Sequence, residues 1–135
     1  MRNFEKELSF VDGILVGAFR DIEKESGGPM VSLLDTVNRI LGLRTTAAKE
    51  YLRIVLANSI LMDRKQLDYG PKNISGFGTF GVLVRMNDKF ERIKHLYNKG
   101  KRRKAENESI EDTMRDIANY AVIALMLELG RWPNE

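Results

Sequence analysis

Apolar residues recur every three or four positions along almost the whole chain, and this spacing restricts the fold to packed helices. Phe4, Leu8, Val11, Leu15, Ala18 and Ile22 mark one face of a helix from about Asn3 to Lys24. Gly13 and Gly17 on it would allow a neighbouring helix to approach closely, and Gly27-Gly28-Pro29 ends it. A second helix is expected over Val31 to Leu41, burying Leu33, Leu34, Val37, Ile40 and Leu41 and stopping at Gly42. Thr45 or Thr46 would cap a third that runs to about Leu67 and buries Tyr51, Leu52, Val55, Ile60 and Leu61. Asp68 to Gly78 holds three glycines and a proline, and reads as an irregular segment. A fourth helix, Thr79 to Asn98, presents Phe80, Leu83, Met86, Phe90, Ile93, Leu96 and Tyr97. The fifth starts near Ser109, where Ser109-Ile110-Glu111-Asp112 has the form of a capping box. It continues through Leu129 with Ile110, Met114, Ile117, Tyr120, Ala121 and Ala124 on one side, widened by Ile123 and Leu127. No alternating strand pattern and no internal repeat is present. The expected fold is all-α, a bundle of about five helices.

Length and composition narrow the class. At 135 residues the chain suits one domain, and 43% apolar with 30% charged residues is ordinary globular composition. The longest apolar stretch, Ile117 to Leu127, is broken by Asn119 and Tyr120 and falls short of a membrane span. The acidic start Met1-Arg2-Asn3-Phe4-Glu5-Lys6-Glu7 lacks the charge pattern of a signal peptide. With no cysteine there is no disulfide, thiolate metal site or cysteine nucleophile. A cytoplasmic location is the expectation. The net charge of +3 is too mild to argue for nucleic acid. The one basic run, Lys99 to Lys104, is followed at once by Glu106, Glu108, Glu111 and Asp112, as in a solvated loop. Nucleic acid and membrane are not expected partners.

The polar residues that could carry chemistry lie on the last two helices. Asp88, Glu91 and Arg92 share a face of the fourth, joined by Arg85 and Lys89. Asp112 and Asp116 stack on adjacent turns of the fifth, with Glu111, Arg115 and Asn119 nearby. Like charges one turn apart are unfavourable unless a cation or a partner sits between them. Carboxylates on facing helices can hold Mg²⁺ or Mn²⁺, with basic neighbours offsetting a substrate phosphate. From spacing alone, surface ion pairs and acids favouring a helix N-terminus are the stronger reading of the same residues. His95 reads as a surface residue and Trp132 as packing.

Three motifs occur in order: Lys65-Gln66-Leu67-Asp68-Tyr69-Gly70, Arg85 to Ile93, and Glu108-Ser109-Ile110-Glu111-Asp112-Thr113-Met114-Arg115-Asp116-Ile117-Ala118-Asn119-Tyr120-Ala121. They resemble the nucleotide modification associated domain 1 family of phages and bacteria. The likeness spans about Asn58 to Leu129, within a core of residues 46–135, and leaves 1–45 as an N-terminal helical extension. The design is also similar to the MazG-like nucleotide pyrophosphohydrolases, which bind Mg²⁺ through E-E-x-x-E and E-x-x-D motifs. This chain has no E-E-x-x-E, and Thr113 stands where the Glu of E-x-x-D would precede Asp116.

The resemblance implies a nucleotide ligand and a homo-oligomer, dimer or tetramer. As a pyrophosphohydrolase of (deoxy)nucleoside triphosphates, the chain would hold Mg²⁺ or Mn²⁺ on Asp88, Asp112 and Asp116, with Glu91 or Glu111 as base. Lys65, Arg85, Lys89 and Arg92 would bind phosphates, while Asp68, Tyr69, Asn73 and Asn119 would recognise sugar or base. The alternative expectation is a module that binds or sequesters a nucleotide without cleaving it.

Overall fold

The structure, a computed structural model, describes Gly13, residues 30–99 and residues 104–133, with side chains for 13, 35–99 and 109–133. Among the described residues there are five helices and no strand: α1 (Met30–Ile40), α2 (Thr46–Tyr69), α3 (Pro71–Ser75), α4 (Gly78–Asn98) and α5 (Lys104–Glu128). The all-α expectation holds. The expected helix over Asn3 to Lys24 and most of the basic run lie outside the described residues. No described helix is long and apolar enough to cross a membrane. The chain forms two compact units, Met1–Val55 and Leu56–Glu135, and α2 runs through their boundary.

In the first unit, α1 ends where the spacing predicts. Gly42 adopts a positive φ, its N–H donates to Arg39 O, and Leu43 N–H donates to Asn38 O at 3.0 Å. This pairing satisfies the last carbonyls of the helix. Val37, Ile40 and Leu41 are half-buried. Thr45 caps α2, its Oγ1 accepting from Ala48 N–H at 3.1 Å.

The second unit is built on the antiparallel pair α4 and α5. Val82 is fully buried and forms the core with Ile74, Ile123, Ala124 and Trp132. Leu96 and Ile110 are buried toward the opposite end of the pair. Thr79 Oγ1 donates to Glu128 Oε1 at 2.6 Å, joining the start of α4 to the end of α5. Beyond α5, Gly130 takes φ 64°, and Arg131 N–H donates to Met126 O at 2.8 Å. The turn folds Trp132 back beneath α3, where its Nε1–H donates to Pro71 O at 3.2 Å.

Several expectations are corrected. Asp68 to Gly78 is not irregular: α2 extends through Tyr69, Gly70 turns the chain at φ 74°, and Pro71 opens α3 at the first helical position. The fifth helix starts at Lys104, so Ser109 lies inside it and is not a cap. The Ser109 carbonyl accepts from Thr113 Oγ1 at 2.6 Å instead. Tyr51, Val55 and Ile60 of α2 are exposed, and its one buried side chain is Asn58. Phe80, Leu83, Phe90 and Tyr97 of α4 are exposed as well. Both helices carry apolar residues on more than one face, so spacing alone does not choose which face is covered.

Trp132→Ala is expected to destabilise the second unit by about 3–5 kcal/mol, because it leaves a cavity at the base of α3. Trp132→Phe keeps most of the packing and should lose about 1 kcal/mol through the unpaired Pro71 carbonyl. Urea unfolding followed by circular dichroism checks both.

Candidate functional site

Three helices meet at Asp116. The carboxylate on α5 accepts from Lys65 Nζ of α2 through Oδ1, and pairs with Lys89 Nζ of α4 at 3.1 Å through Oδ2. Asp116 is 15% exposed, Lys89 28% and Lys65 44%. Two ammonium groups share one carboxylate, so the cluster keeps one net positive charge. Burial pushes the Asp116 carboxyl up, but the hydrogen bonds from Lys65 and Lys89 and their charges outweigh it, leaving it below the usual 3.8.

A polar seam beside the cluster fixes the approach of α2. Arg115 Nε donates to Asn58 Oδ1 at 2.8 Å, its Nη2 to Ala57 O at 3.1 Å, and Asn119 Nδ2 to Asn58 O at 3.3 Å. Those carbonyls belong to a helix, and a second lone pair on each remains available for a side-chain donor. Asn58 is buried because it answers Arg115 and Asn119 together. The seam therefore sets the α2 register that brings Lys65 to Asp116.

The cluster walls a cavity of about 280 Å³. Met62, Ile74, Tyr120 and Ile123 give it apolar surface, while Lys65, Gln66, Tyr69, Asn73, Arg85, Lys89 and Asn119 give it polar groups. Arg85 Nη2 donates to Asn73 O at 3.0 Å, which ties α3 to α4 at the rim. Gln66 Oε1 is buried with no hydrogen-bond partner. An unmet buried acceptor beside a cavity is unfavourable unless a ligand or water supplies a donor. On the other side of the Lys65–Asp116 pair, a second cavity of about 490 Å³ is lined by Leu61, Lys65, Arg92, Ser109, Asp112, Thr113, Arg115 and Asp116.

The residues singled out from the sequence thus divide. Lys65, Tyr69, Asn73, Arg85, Lys89, Asp116 and Asn119 gather at the first cavity. Arg92 and Asp112 line the second, where Arg92 Nη2 donates to Ser109 Oγ at 2.6 Å. Asp88 is exposed in a shallow depression with Arg85, Lys89, Arg92 and Tyr120. Glu91 is exposed and paired with Lys94 at 2.9 Å, Glu111 is exposed, and Asp68 is exposed and does not line the first cavity. Among the described residues no group of three or more His, Asp or Glu could hold a metal ion. Asp88, Asp112 and Asp116 accordingly do not form a ready-made cation site within one chain, and Asp116 already answers two lysines.

Sequence reasoning missed Gln66, Met62, Ile74 and the Asn58–Arg115 pair. A signal was available: 58, 62, 65, 66 and 69 fall on one side of a helix at three- and four-residue spacing. Only Lys65 and Tyr69 of that set carry an obvious chemical label.

The second unit is therefore an all-α domain with a small, cation-walled cavity at a three-helix junction. Residues 65–127 match the family model described as nucleotide modification associated domain 1. The matched span holds Lys65, Lys89 and Asp116 together with most of the cavity wall. No curated protein and no solved structure matches the chain.

Because the folded carboxyl of Asp116 titrates below its unfolded value, its contribution to stability is present above about pH 4 and is lost as pH falls through the folded value. Asp116→Asn should remove this part of the acid dependence and destabilise the fold by about 1–2 kcal/mol at neutral pH, discounted for the exposure of Lys65. Denaturant midpoints for both proteins from pH 3 to pH 7 measure it.

Proposed function

We propose that the cavity beside Asp116 binds a phosphorylated nucleoside, and that the domain acts as a nucleotide-binding module. The observation that carries this reading is the pairing of two lysines with one carboxylate at the wall of a cavity that also holds an unmet amide acceptor. Lys65, Lys89 and Arg85 offer donors and net positive charge to a phosphate. Gln66 Oε1 would accept from an amino, imino or hydroxyl group, with Asn73 and Asn119 as further polar partners. Tyr69 offers an exposed ring at the mouth on which a base could stack. The volume is near the lower end for small-molecule sites and suits a nucleoside part rather than a whole triphosphate. The match to a family described by nucleotide modification is consistent with that ligand class.

A second reading, pyrophosphohydrolysis of a nucleoside triphosphate, is favoured by one feature. Asp112 and Asp116 both line the second cavity, beside Lys65, Arg92 and Arg115. A Mg²⁺ or Mn²⁺ arriving with its nucleotide needs only one or two protein carboxylates, and when bound it would polarise a phosphoryl oxygen. On this reading Asp112 and Asp116 supply the carboxylates, and Arg92 and Lys65 supply phosphate contacts.

The two readings part at one residue. Under the binding reading, removing the carboxylate frees both ammonium groups, so Asp116→Asn keeps or raises nucleotide affinity. Under hydrolysis the same substitution abolishes pyrophosphate release. Calorimetry with common nucleoside mono-, di- and triphosphates, with and without Mg²⁺, should give binding that Lys65→Ala and Lys89→Ala each weaken at least about tenfold. Absence of binding by every nucleotide tested would refute the proposal, and release of pyrophosphate that Asp116→Asn stops would replace it with the second reading.

A further inference from the structure

Buried polar atoms in folded chains almost always have a hydrogen-bond partner, and each exception needs a physical reason. Among the described residues two buried side-chain atoms have none: Asn38 Oδ1 in the first unit and Gln66 Oε1 in the second. Gln66 stands in the wall of the first cavity. It follows Met62 by four residues and precedes Tyr69 by three, so the three share one line along α2, and all of them line that cavity. The Gln66 oxygen itself is withdrawn from solvent, so bulk water does not satisfy it. The terminal torsion of a glutamine is soft, and a small turn of the amide brings the oxygen to a donor inside the cavity.

The cavity has a charged end and an apolar end. Asp116 on α5 and Lys89 on α4 pair at the first. Ile123 on α5 and Val82 on α4 belong to one core cluster at the second, seven residues away along each helix. Seven residues of α-helix rise roughly 10 Å. Ile74 closes the apolar end, and Met62 packs against the same cluster. One phosphate and one extended nucleoside can span that length.

The chemistry of the two ends sets the direction of such a ligand. A ribose among Met62, Ile74 and Ile123 would bring several hydroxyls to a wall that offers few polar partners. A base brings flat apolar faces and an N–H at its edge, which is the donor that a lone amide oxygen lacks. The ammonium groups of Lys65 and Lys89 remain at the opposite end for the phosphate.

We propose that Gln66 is the residue by which the first cavity recognises a base: a nucleoside monophosphate enters base first, keeps its phosphate on Lys65 and Lys89, and donates an edge N–H to Gln66 Oε1. This rests on the nucleotide-binding reading above and adds to it the orientation of the ligand and the residue that sets specificity. A sugar phosphate without a base leaves the amide unmet and binds more weakly. The empty cavity carries a cost in stability, because an acceptor is buried without a donor.

Calorimetry of the full chain with a panel of nucleoside monophosphates and with ribose 5-phosphate tests this, in the wild type, Gln66→Met and Lys89→Ala. Methionine keeps the length and helix preference of the side chain without its polar atoms. The wild type should bind at least one nucleoside monophosphate at least about tenfold more tightly than ribose 5-phosphate. Gln66→Met should weaken that nucleotide about tenfold and leave ribose 5-phosphate unchanged, while Lys89→Ala weakens both. The urea midpoint of Gln66→Met without ligand should rise. The proposal fails if Gln66→Met leaves nucleotide affinity unchanged, if it weakens ribose 5-phosphate equally, if Lys89→Ala spares ribose 5-phosphate, or if the urea midpoint of Gln66→Met falls. Nucleotide binding that ignores Gln66 overturns this proposal alone, whereas a wild type that binds no nucleotide overturns the nucleotide-binding reading with it.

Discussion

The carboxylate of Asp116 is the point on which the second unit's geometry turns. One acid, mostly withdrawn from solvent, accepts hydrogen bonds from lysines on two other helices. Burying a carboxylate without such partners would be strongly unfavourable, and leaving two ammonium groups side by side without the acid would be unfavourable too. The three groups therefore hold one another in place. Because they come from α2, α4 and α5, the arrangement also fixes how the three helices converge.

Polar and apolar forces divide the labour around that point. The core of Ile74, Val82, Ile123, Ala124 and Trp132 joins α3, α4, α5 and the C-terminal turn. The α2 helix adds Met62 to that core, and it is tied to α5 by the Lys65–Asp116 pair and by hydrogen bonds from Arg115 and Asn119 to Asn58 and the neighbouring carbonyl. A contact of this kind is directional, so it sets register more sharply than hydrocarbon packing does. That is useful beside a cavity, where Lys65 and Gln66 must arrive at defined positions. The cavity roof depends on a second directional set, in which Arg85 and Trp132 each bond to a carbonyl of the α3 segment.

The same division explains where chemistry was legible. Lys65, Lys89, Asp116 and Asn119 stood out as polar residues within helical patterns, and they do come together. Asp88, Asp112 and Asp116 looked equivalent as acids spaced along two helices, yet Asp88 lies apart in a shallow depression while Asp112 and Asp116 line the second cavity, and no metal-holding group of three results among the described residues. Spacing places residues on a face of their own helix, but rotation of that helix against its neighbours decides what the face meets. Gln66 illustrates the opposite error: it was unremarkable in the sequence and became informative only as a buried acceptor with no donor.

The sequence by itself determined the four longer helices among the described residues and the ends at Gly42 and Thr45, because backbone hydrogen bonding is local and these residues act within a few positions, but it did not tell α3 from an irregular segment. It also determined that more apolar surface exists than a small helix pair can bury. Only the tertiary structure decided which surface is used. It put Val82 rather than Leu83 into the core, Asn58 rather than Ile60 against α5, and Ser109 inside a helix rather than at its start. Those outcomes depend on partners dozens of residues away, which helical period cannot encode: a helix apolar on several sides is settled by whichever neighbour satisfies its polar groups as well.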